Sequence, residues 1–514
     1  MGELEAVFKT NFATIDWIIV MVYICIPVVI GIVVSKYIHQ LSDFLVAGRS
    51  LRLFLAIATM TGTELGLVTV MYNSQLGFKH GFSAFHVGVI ESICVLAIGL
   101  TGFIVYKLRQ MKVMTIPEFY EKRFGRNVRI IGGIILALGG ILNMGLFLQA
   151  GSRFMMGITG YSNPAGLKLF MSAMLVMVLV YTVLGGMVSV VLNDFMQFIV
   201  LSIGMLIGSY FAIDAIGWDK LFEIPATVDN ISWFSPIAEG SGFGTIYVFF
   251  MVVVSLSAAA LWQSGTIRAL SAKSPKIAKQ LYAWSSVSYL ARRIIPMLWG
   301  VCAFIFVSQT LLPETQKLMV DVFQGPDSLN SQFGMPIFIA KVIPSGLLGL
   351  LAAGMFAAFM STHDSYLLCW SSVITQDIVA PLKKNSLSDK MRILITRVCI
   401  VLIGLFLLIW GLWFEAPVSL WNYMAVTGTI YLAGAFTVVV AGLYWKQASS
   451  TGAMIALFAG LIAILGLGPW TTGDNVPWYL TDKFIGVITF VIAFLGMIVG
   501  SILFPDKHKS KEVL

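Results

Sequence analysis

Apolar runs long enough to cross a lipid bilayer recur along the whole sequence. About twenty apolar residues suffice for one membrane-spanning helix. We place thirteen such runs, with a boundary at Gly185-Gly186, at residues 17–36, 53–77, 83–106, 128–155, 166–189, 192–216, 243–267, 283–310, 345–376, 391–413, 418–443, 451–469 and 482–504. Because hydrocarbon cannot hydrogen-bond an exposed backbone, each run is predicted to be a helix. The expected fold is therefore an all-α membrane protein.

The composition agrees with this class and argues against nucleic-acid binding. Hydrophobic residues make up 58% of the 514 and charged residues 11%, against about 25% charged in soluble domains. The net charge is +8, but the charges fall between the apolar runs, as membrane anchors do. We expect the lipid bilayer as a partner, no nucleic acid and no obligate protein partner.

The distribution of Lys and Arg predicts the orientation in the cell membrane, because basic residues concentrate on the cytoplasmic side. Alternate loops differ in their basic residues, and the richer set is Lys36, Arg49, Arg52, Lys107, Arg109, Lys112, Lys122, Arg123, Arg126, Arg129, Arg268, Lys273, Lys276, Lys279, Lys383, Lys384, Lys390, Arg392, Arg397, Lys446, Lys507, Lys509 and Lys511. The N-terminus is thus expected outside and the C-terminus in the cytoplasm, with the first apolar run retained as a span. Acidic loops at 217–242 and 311–335 are expected outside.

The run at 53–77 contains glycines, hydroxyls and a carboxylate at mid-membrane depth. Gly62, Glu64 and Gly66 favour a broken helix, whose unwound segment frees carbonyls that can bind a cation. The alternative is close helix packing through the two glycines. Glu64 argues against that alternative, since a carboxylate at the bilayer centre usually marks a functional site.

The run at 345–376 contains Ser-Thr-His-Asp-Ser in sequence, and we interpret it as the second of two broken helices. Ser361, Thr362 and Ser365 lie within about one helical turn, so their oxygens can share a face. Alternatively, each hydroxyl donates to the carbonyl four residues earlier. Asp364 cannot satisfy itself in that way. Oxygen ligands without a Cys or His cluster predict a hard cation such as Na⁺.

Short strings of residues along nearly the whole chain resemble the sodium:solute symporter family, which includes the proline, sialic acid and sugar cotransporters. These strings are Asp43 to Leu51, Thr115 to Phe124, Tyr181 to Asp194, Gln263 to Leu270, and Gly442 to Lys446 with Gly452-Ala453. The resemblance implies one domain over 1–514 with a five-plus-five inverted-repeat core of the LeuT type. The repeats would span about 53–216 and 243–443, with peripheral spans at 17–36, 451–469 and 482–504.

The same resemblance implies two cation sites. The main sodium site would take carbonyls of Gly62 and Leu65, the carbonyl of Ala358, and the hydroxyls of Ser361 and Thr362. A second cation or proton site would use residues that the topology brings together, namely Asp194, Asp364 and Ser365, with Ser361 also nearby. From the sequence alone, Asp194 is equally compatible with a solvated helix cap near the cytoplasmic end of its span.

Substrate contacts are implied beside the broken helices. The candidates are Glu64, Thr69, Asn73, His86, Glu91, Trp262, Gln263 and the stretch near Tyr423–Tyr431. Two acids and a Trp favour a solute with an ammonium or other cationic group, whereas a protonated Glu would suit a sugar or carboxylate. For Glu91, a structural hydrogen bond is an equal alternative. We interpret Arg292-Arg293 as a cytoplasmic-end anchor, because the apolar run resumes at Ile294.

These residues predict a transporter that couples inward Na⁺ flow to uptake of a small organic solute, such as an amino acid, betaine or amine. The alternatives are Na⁺-coupled uptake of a monocarboxylate or sugar, and a sensor or facilitator without tight coupling. An enzyme is not expected, because the sequence has no HExxH or GxSxG motif.

Overall fold

The computed structural model describes residues 8–34, 41–161, 164–227, 233–238, 241–309, 331–384, 386–414, 420–471 and 476–506. The described residues are mainly helical. The β-type pairing found among them is an isolated bridge between Leu51 and Ala272. In chain order, the α-helices are α1 Thr14–Val34, α2 Leu41–Val46, α3 Leu53–Glu64, α4 Leu67–His80, α5 Phe85–Thr101, α6 Val105–Gln110, α7 Ile116–Phe124, α8 Arg126–Asn143, α9 Phe147–Thr159, α10 Pro164–Ile216, α11 Lys220–Thr227, α12 Thr245–Leu261, α13 Gln263–Ser271, α14 Pro275–Gln309, α15 Gly334–Val342, α16 Leu347–Val373, α17 Ala380–Leu382, α18 Asp389–Trp413, α19 Leu420–Tyr444, α20 Ser450–Ala459 and α21 Asp482–Leu503.

The number of spans depends on how interrupted helices are counted. Among the described residues, ten helical stretches are long and apolar enough to cross a membrane, or eleven if the bent pair α12–α13 counts as one span. The 53-residue α10 contains the predicted boundary, since Gly186 leaves helical geometry at φ +49° and ψ −149°. The count of thirteen remains a prediction.

Some predicted features fall outside the described residues. They include the end of the first run at 35–36, most of the loop 311–335, and the basic tail from Lys507.

The run at 53–77 is broken as the sequence predicts. α3 ends at Glu64, Leu65 adopts φ −96° and ψ 70°, and Gly66 is extended at φ −79° and ψ 158° before α4 begins. A non-helical residue pair in mid-membrane leaves backbone groups without their helical partners. The break therefore exposes carbonyls at the centre of the protein.

The second break does not lie where the sequence analysis put it. α16 is continuous through the Ser-Thr-His-Asp-Ser run, and a π-helical turn follows at Ile374–Val379. The interruption occurs at Trp262, which is extended (φ −65°, ψ 116°) between α12 and α13, and the chain bends there by 40°. Small and polar residues in α16 do not unwind it, because tight packing on every side stabilises a regular helix.

Burial identifies the helix at the centre of the bundle. In the stretch that contains α16, 89% of the most apolar window is buried, against 33% for α1 and for α18. α16 packs against α10, α1, α8, α18 and α3. A helix buried on all sides cannot place polar groups in lipid, so each polar side chain of α16 must find a partner within the protein.

Candidate functional site

The break between α3 and α4 meets α16 at its hydroxyl residues. Ser361 Oγ donates to the Gly62 carbonyl at 2.9 Å and lies 3.2 Å from the Ala358 carbonyl. Thr362 Oγ1 donates to the Ala358 carbonyl at 2.9 Å. Both side chains are buried. Thr362 Oγ1 therefore bonds four residues back, as the alternative describes, but it also lies 3.4 Å from the Thr63 carbonyl. Both hydroxyls thus contact the broken helix.

The glycine at the break allows this approach. A Cβ added to Gly66 would lie 2.3 Å from Thr362 Oγ1, closer than any real contact. Leu65 precedes it in non-helical geometry, so its carbonyl leaves the axis of α3. Carbonyls and neutral hydroxyls converging at a helix break are the ligands that a small hard cation requires. The residues present thus fit Na⁺.

A second group of polar residues lies beside this site and is sealed from solvent. We call Asp194, Arg268, Asp364 and Ser365 the sealed cluster; their exposed fractions are 0%, 0%, 0% and 2%. Arg268 Nη2 donates to Asp194 Oδ2 at 3.0 Å and to Ser365 Oγ at 2.6 Å. Ser365 Oγ donates to Asp364 Oδ1 at 3.1 Å. The structure therefore brings together the three residues of the predicted second site.

Neighbouring hydroxyls complete the sealed cluster. Asp194 Oδ2 also accepts hydrogen bonds from Thr59 and from Thr63, the latter at 3.0 Å, and Asp364 Oδ2 accepts one from Tyr181 at 2.9 Å. Asp194 Oδ1 is buried and has no hydrogen-bond partner among the described residues. Asp194 is thus buried within α10, and the interpretation as a solvated helix cap is wrong.

Arg268 corrects the sequence analysis, which counted it among cytoplasmic loop residues. It lies in α13 with no exposed surface, and each of its three guanidinium nitrogens donates a hydrogen bond. A count of basic residues at the ends of apolar runs treats such an arginine as a membrane anchor. Here the apolar run ends at a helix break inside the protein, and α13 continues from that break. Asp194 in an apolar run was the available signal that a basic partner was needed.

A cavity adjoins the sodium-site residues on the other side of the break. It encloses about 850 Å³ of space outside the protein atoms, part of which is open to solvent. Its lining includes four predicted substrate residues, Glu64, Thr69, Glu91 and Trp262. Thr362 and Thr63 also line it. One side chain of the predicted sodium site therefore lines this space.

Two glutamates and two arginines form a charge-balanced group on the cavity wall. We call Glu64, Glu91, Arg292 and Arg293 the cavity cluster. Arg292 Nη1 donates to Glu64 Oε2 at 2.9 Å and to the Glu64 carbonyl at 2.7 Å. Glu91 accepts from both arginines, one at each oxygen. The two acids that suggested a cationic solute are thus already neutralised by the protein.

The interpretation of Arg292-Arg293 as a cytoplasmic-end anchor is wrong. Both are 6% exposed, and they lie near the middle of the 35-residue α14. The helix begins at Pro275, well before the predicted start of the run at 283, which moves the pair to mid-membrane depth. The first two turns of α14 contain polar residues, so hydropathy alone placed the start of this helix too late.

The other predicted substrate residues lie outside the cavity lining. Asn73 Oδ1 accepts from Arg293 Nη1 at 3.2 Å, so Asn73 supports the wall from behind. Gln263 is fully buried, and its Oε1 accepts from the Ile116 amide at 3.4 Å. The His86 ring packs on Phe243.

The stretch near Tyr423–Tyr431 and several aromatic residues also bound the cavity. Met424, Ala425 and Gly428 of that stretch line it, whereas Tyr423 donates to the Leu142 carbonyl at 2.7 Å. Lining residues that the sequence analysis did not single out include Tyr72, Asn143, Tyr289, Tyr366 and Trp421. They come from five different helices, and only the fold brings them together.

Comparisons with known proteins agree with this architecture. The model of the Sodium:solute symporter family matches residues 44–460. The chain is 22% identical to the sodium/sialic acid symporter SiaT of Proteus mirabilis over 98% of both chains. It is 23% identical to sodium/proline symporter 2 of Staphylococcus saprophyticus, covering 96% of this chain and 93% of the relative. It is 25% identical to the sodium/pantothenate symporter of Haemophilus influenzae, covering 92% of this chain and 95% of the relative.

Solved structures share the fold. A Na⁺-coupled sialic acid symporter in a substrate-bound outward-open state matches with a TM-score of 0.77 at 19% identity, covering 97% of this chain and 100% of the other. MhsT in complex with L-phenylalanine matches with a TM-score of 0.51 at 15% identity, covering 88% and 98%. The predicted all-α membrane fold with an inverted-repeat core of the LeuT type is confirmed.

Proposed function

The chain belongs to the sodium:solute symporter family, and we propose that it couples inward Na⁺ movement to uptake of a small organic solute by alternating access. The observation that carries this proposal is the meeting of the α3–α4 break with Ser361 and Thr362. Na⁺ would be held by the carbonyls of Gly62, Leu65 and Ala358 and by the two hydroxyls.

The position of Thr362 supports coupling between the two ligands. Its hydroxyl belongs to the proposed sodium site, and the residue also lines the cavity. A cation at the break would fix α3 and α4 against α16, and Glu64 and Thr69 on these two segments line the same cavity. Binding of Na⁺ would therefore organise the solute site, which is the differential interaction that coupling requires.

Removal of either hydroxyl tests the sodium site. Ser361→Ala and Thr362→Ala each delete one of about five oxygen ligands, at a cost of about 1–2 kcal/mol, or roughly tenfold in apparent Na⁺ affinity. Ser371→Ala is the matched control, because Ser371 lies on α16 and its hydroxyl donates to the Leu368 carbonyl of the same helix at 3.1 Å. An unchanged Na⁺ half-saturation for protection against thermal unfolding in both variants would exclude these hydroxyls.

We also propose that the sealed cluster binds one further monovalent cation or a proton. The cluster has two carboxylates for one guanidinium, of which Arg268 pairs with Asp194 and reaches Asp364 only through Ser365. When both acids are ionised, one negative charge has no counter-charge, and Asp194 Oδ1 has no partner among the described residues. A buried charge without compensation is costly, which favours occupancy by a proton or Na⁺. If Asp194→Asn and Asp364→Ser leave both the Na⁺ dependence and the pH dependence of uptake unchanged, this second site is wrong.

The solute proposed from the sequence is an amino acid, betaine or amine, with a monocarboxylate or sugar as the alternative. The cavity cluster carries no net charge when all four groups are ionised, which removes the reason for preferring a purely cationic solute. Counterflow of labelled candidates in vesicles, with and without an inward Na⁺ gradient, tests the coupling. Uptake that ignores Na⁺ for every solute would refute it.

The proposed membrane arrangement has the N-terminus outside and core repeats at about 53–216 and 243–443 around the central site. The unequal distribution of Lys and Arg supports this orientation, although Arg268, Arg292 and Arg293 no longer contribute to that argument. Labelling of single cysteines placed at Lys79 and Lys446 from outside intact cells would test it, with reaction expected only at position 79.

A further inference from the structure

The cavity cluster has hydrogen-bond donors left over, whereas its carboxylate oxygens are all engaged. Each of the four oxygens of Glu64 and Glu91 accepts a hydrogen bond from Ser264, Arg292 or Arg293. Two guanidinium groups carry ten N–H donors, and five of them find acceptors within the described part of the chain. The cavity wall therefore needs acceptors from a ligand more than it needs donors.

The two guanidinium groups are held in place before any ligand arrives. Arg293 lies 5.1 Å and 4.9 Å from the ring centroids of Tyr72 and Trp421, two rings that also contact each other, and Arg292 lies 3.8 Å from the centroid of Tyr289. All three aromatic residues line the cavity with the arginines. These aromatic contacts and the shared Glu91 hold both groups in place, so a planar acceptor can bind with little loss of entropy.

An acceptor without a donor lies elsewhere on the cavity wall. Asn143 is 2% exposed and lines the cavity. Its Nδ2 donates to the Met424 carbonyl at 3.0 Å and to Thr427 Oγ1 at 2.9 Å, which fixes the orientation of the amide. Its Oδ1 is buried without a partner among the described residues. A buried acceptor of this kind favours a ligand with a hydroxyl or amino donor.

From these two observations we infer that the transported solute is a small carboxylate that also carries a hydroxyl or amino group. The inference rests on the proposed symport function and specifies its substrate class. The carboxylate accepts hydrogen bonds from Arg292 and Arg293, and the hydroxyl or amino group donates to Asn143 Oδ1. Arg–carboxylate pairs are planar and charge-assisted, and no neutral acceptor matches the fixed guanidinium planes as well.

Ligand-induced thermal stabilisation of the purified full chain, in detergent with saturating Na⁺, tests the inference. The probes are lactate and alanine, which have both groups, propionate, which lacks the donor, and lactamide and ethanolamine, which lack the carboxylate. We expect lactate or alanine to bind at least tenfold more tightly than propionate, and lactamide and ethanolamine to give no shift.

Two variants assign these effects to residues. Arg293→Lys keeps the charge beside Glu91 but loses the planar fork, so binding of all carboxylates should weaken at least tenfold. Asn143→Leu should reduce lactate and alanine to the affinity of propionate and leave propionate unchanged. Arg126→Lys, at an exposed position, is the control for the arginine change, and retention of the Na⁺-induced shift shows that each variant is folded.

The possible outcomes separate this inference from the symport proposal. Stabilisation by lactamide or ethanolamine equal to that by lactate, no response to any carboxylate, or full carboxylate binding in Arg293→Lys would overturn the carboxylate assignment. Equal binding of lactate, alanine and propionate in the unmodified chain would overturn the role of Asn143. Failure of Na⁺ to stabilise the unmodified chain would instead refute the proposed sodium coupling, whatever the solute.

Discussion

Two buried clusters of charged residues lie on either side of the α3–α4 break, and their needs are opposite. The sealed cluster has two carboxylates for one guanidinium, and every nitrogen of Arg268 already donates. The cavity cluster has two carboxylates and two guanidinium groups, and all four carboxylate oxygens already accept hydrogen bonds. The first therefore lacks a positive charge or proton, and the second lacks an acceptor.

The two clusters also differ in their exposure to solvent. Side chains of the Arg268–Asp194 pair are 0% exposed, whereas those of Glu64 and Arg292 are 11% and 7% exposed beside the cavity. A sealed site can admit only a proton or a bare ion through a brief opening, while an open cavity admits an organic solute. The comparison is consistent with the proposed division of labour, in which the end of α3 contributes Gly62 to the proposed sodium site and Glu64 to the cavity wall.

The largest effect is expected when Arg268 is replaced by Met. The substitution leaves Asp194 and Asp364 buried without a cation, and breaking a buried ion pair costs about 3–5 kcal/mol. We expect a marked fall in the thermal unfolding midpoint and in the yield of monodisperse protein. Arg126→Met at the surface should change neither. Adding Asp194→Asn to Arg268→Met should recover part of the loss, and no recovery would contradict the charge argument.

A smaller loss is expected for Glu91→Gln, because water in the cavity can solvate the arginines that lose their shared carboxylate. Loss of hydrogen bonds to charged groups suggests about 2 kcal/mol. The same change leaves the cavity cluster with a net positive charge, so stabilisation by lactate should increase while the unliganded chain becomes less stable. Thermal unfolding with and without lactate measures both the loss of stability and the gain in lactate binding. If stability and lactate binding fell together, Glu91 would itself contact the solute.

The acids of both clusters could be predicted from sequence, whereas their arginines could not. A carboxylate within a long apolar run stands out, and Glu64, Glu91, Asp194 and Asp364 all lie in such runs. Arg268 directly follows the apolar run at 243–267, and Arg292 comes just before the apolar stretch that resumes at Ile294. At such positions arginine ordinarily anchors a helix in the cytoplasmic headgroups. Only the position of the helix break at Trp262 and the early start of α14 show that both are at membrane depth.

The two segments of the proposed sodium site differ in how far the sequence predicted their backbone. Glycines and hydroxyls at Gly62–Gly66 predicted the first break, because such residues have low helix propensity. Hydroxyls in α16 suggested a second break that the structure places at Trp262 instead. Local propensity favoured interruption of α16, but burial on all sides stabilises it, and tertiary packing cannot be deduced from one sequence.

An intermediate effect on ion binding is expected for Gly66→Ala. The new Cβ would lie 2.3 Å from Thr362 Oγ1, so the hydroxyl must move away from the break. We expect apparent Na⁺ affinity to fall about tenfold, or about 1.4 kcal/mol. Gly428→Ala is the control, because its Cβ would have 3.8 Å to the nearest atom. Protection by Na⁺ against thermal unfolding, measured without solute, reports the difference. Equal Na⁺ affinity in the two variants would show that the Thr362 hydroxyl is not a ligand of the ion.

The smallest effect is expected for Glu64→Gln, which sharpens the contrast within the cavity cluster. Glu64 is engaged by Ser264 and by one arginine only, and Arg292 still donates to its carbonyl after the substitution. A glutamine oxygen can still accept from Arg292, so the cost should be about 0.5–1 kcal/mol, below that of Glu91→Gln. Lactate binding should increase less than in Glu91→Gln, because Arg293 remains paired. Thermal unfolding of the two variants side by side would test the order, and the reverse order would make Glu64, at the helix break, the centre of the cluster.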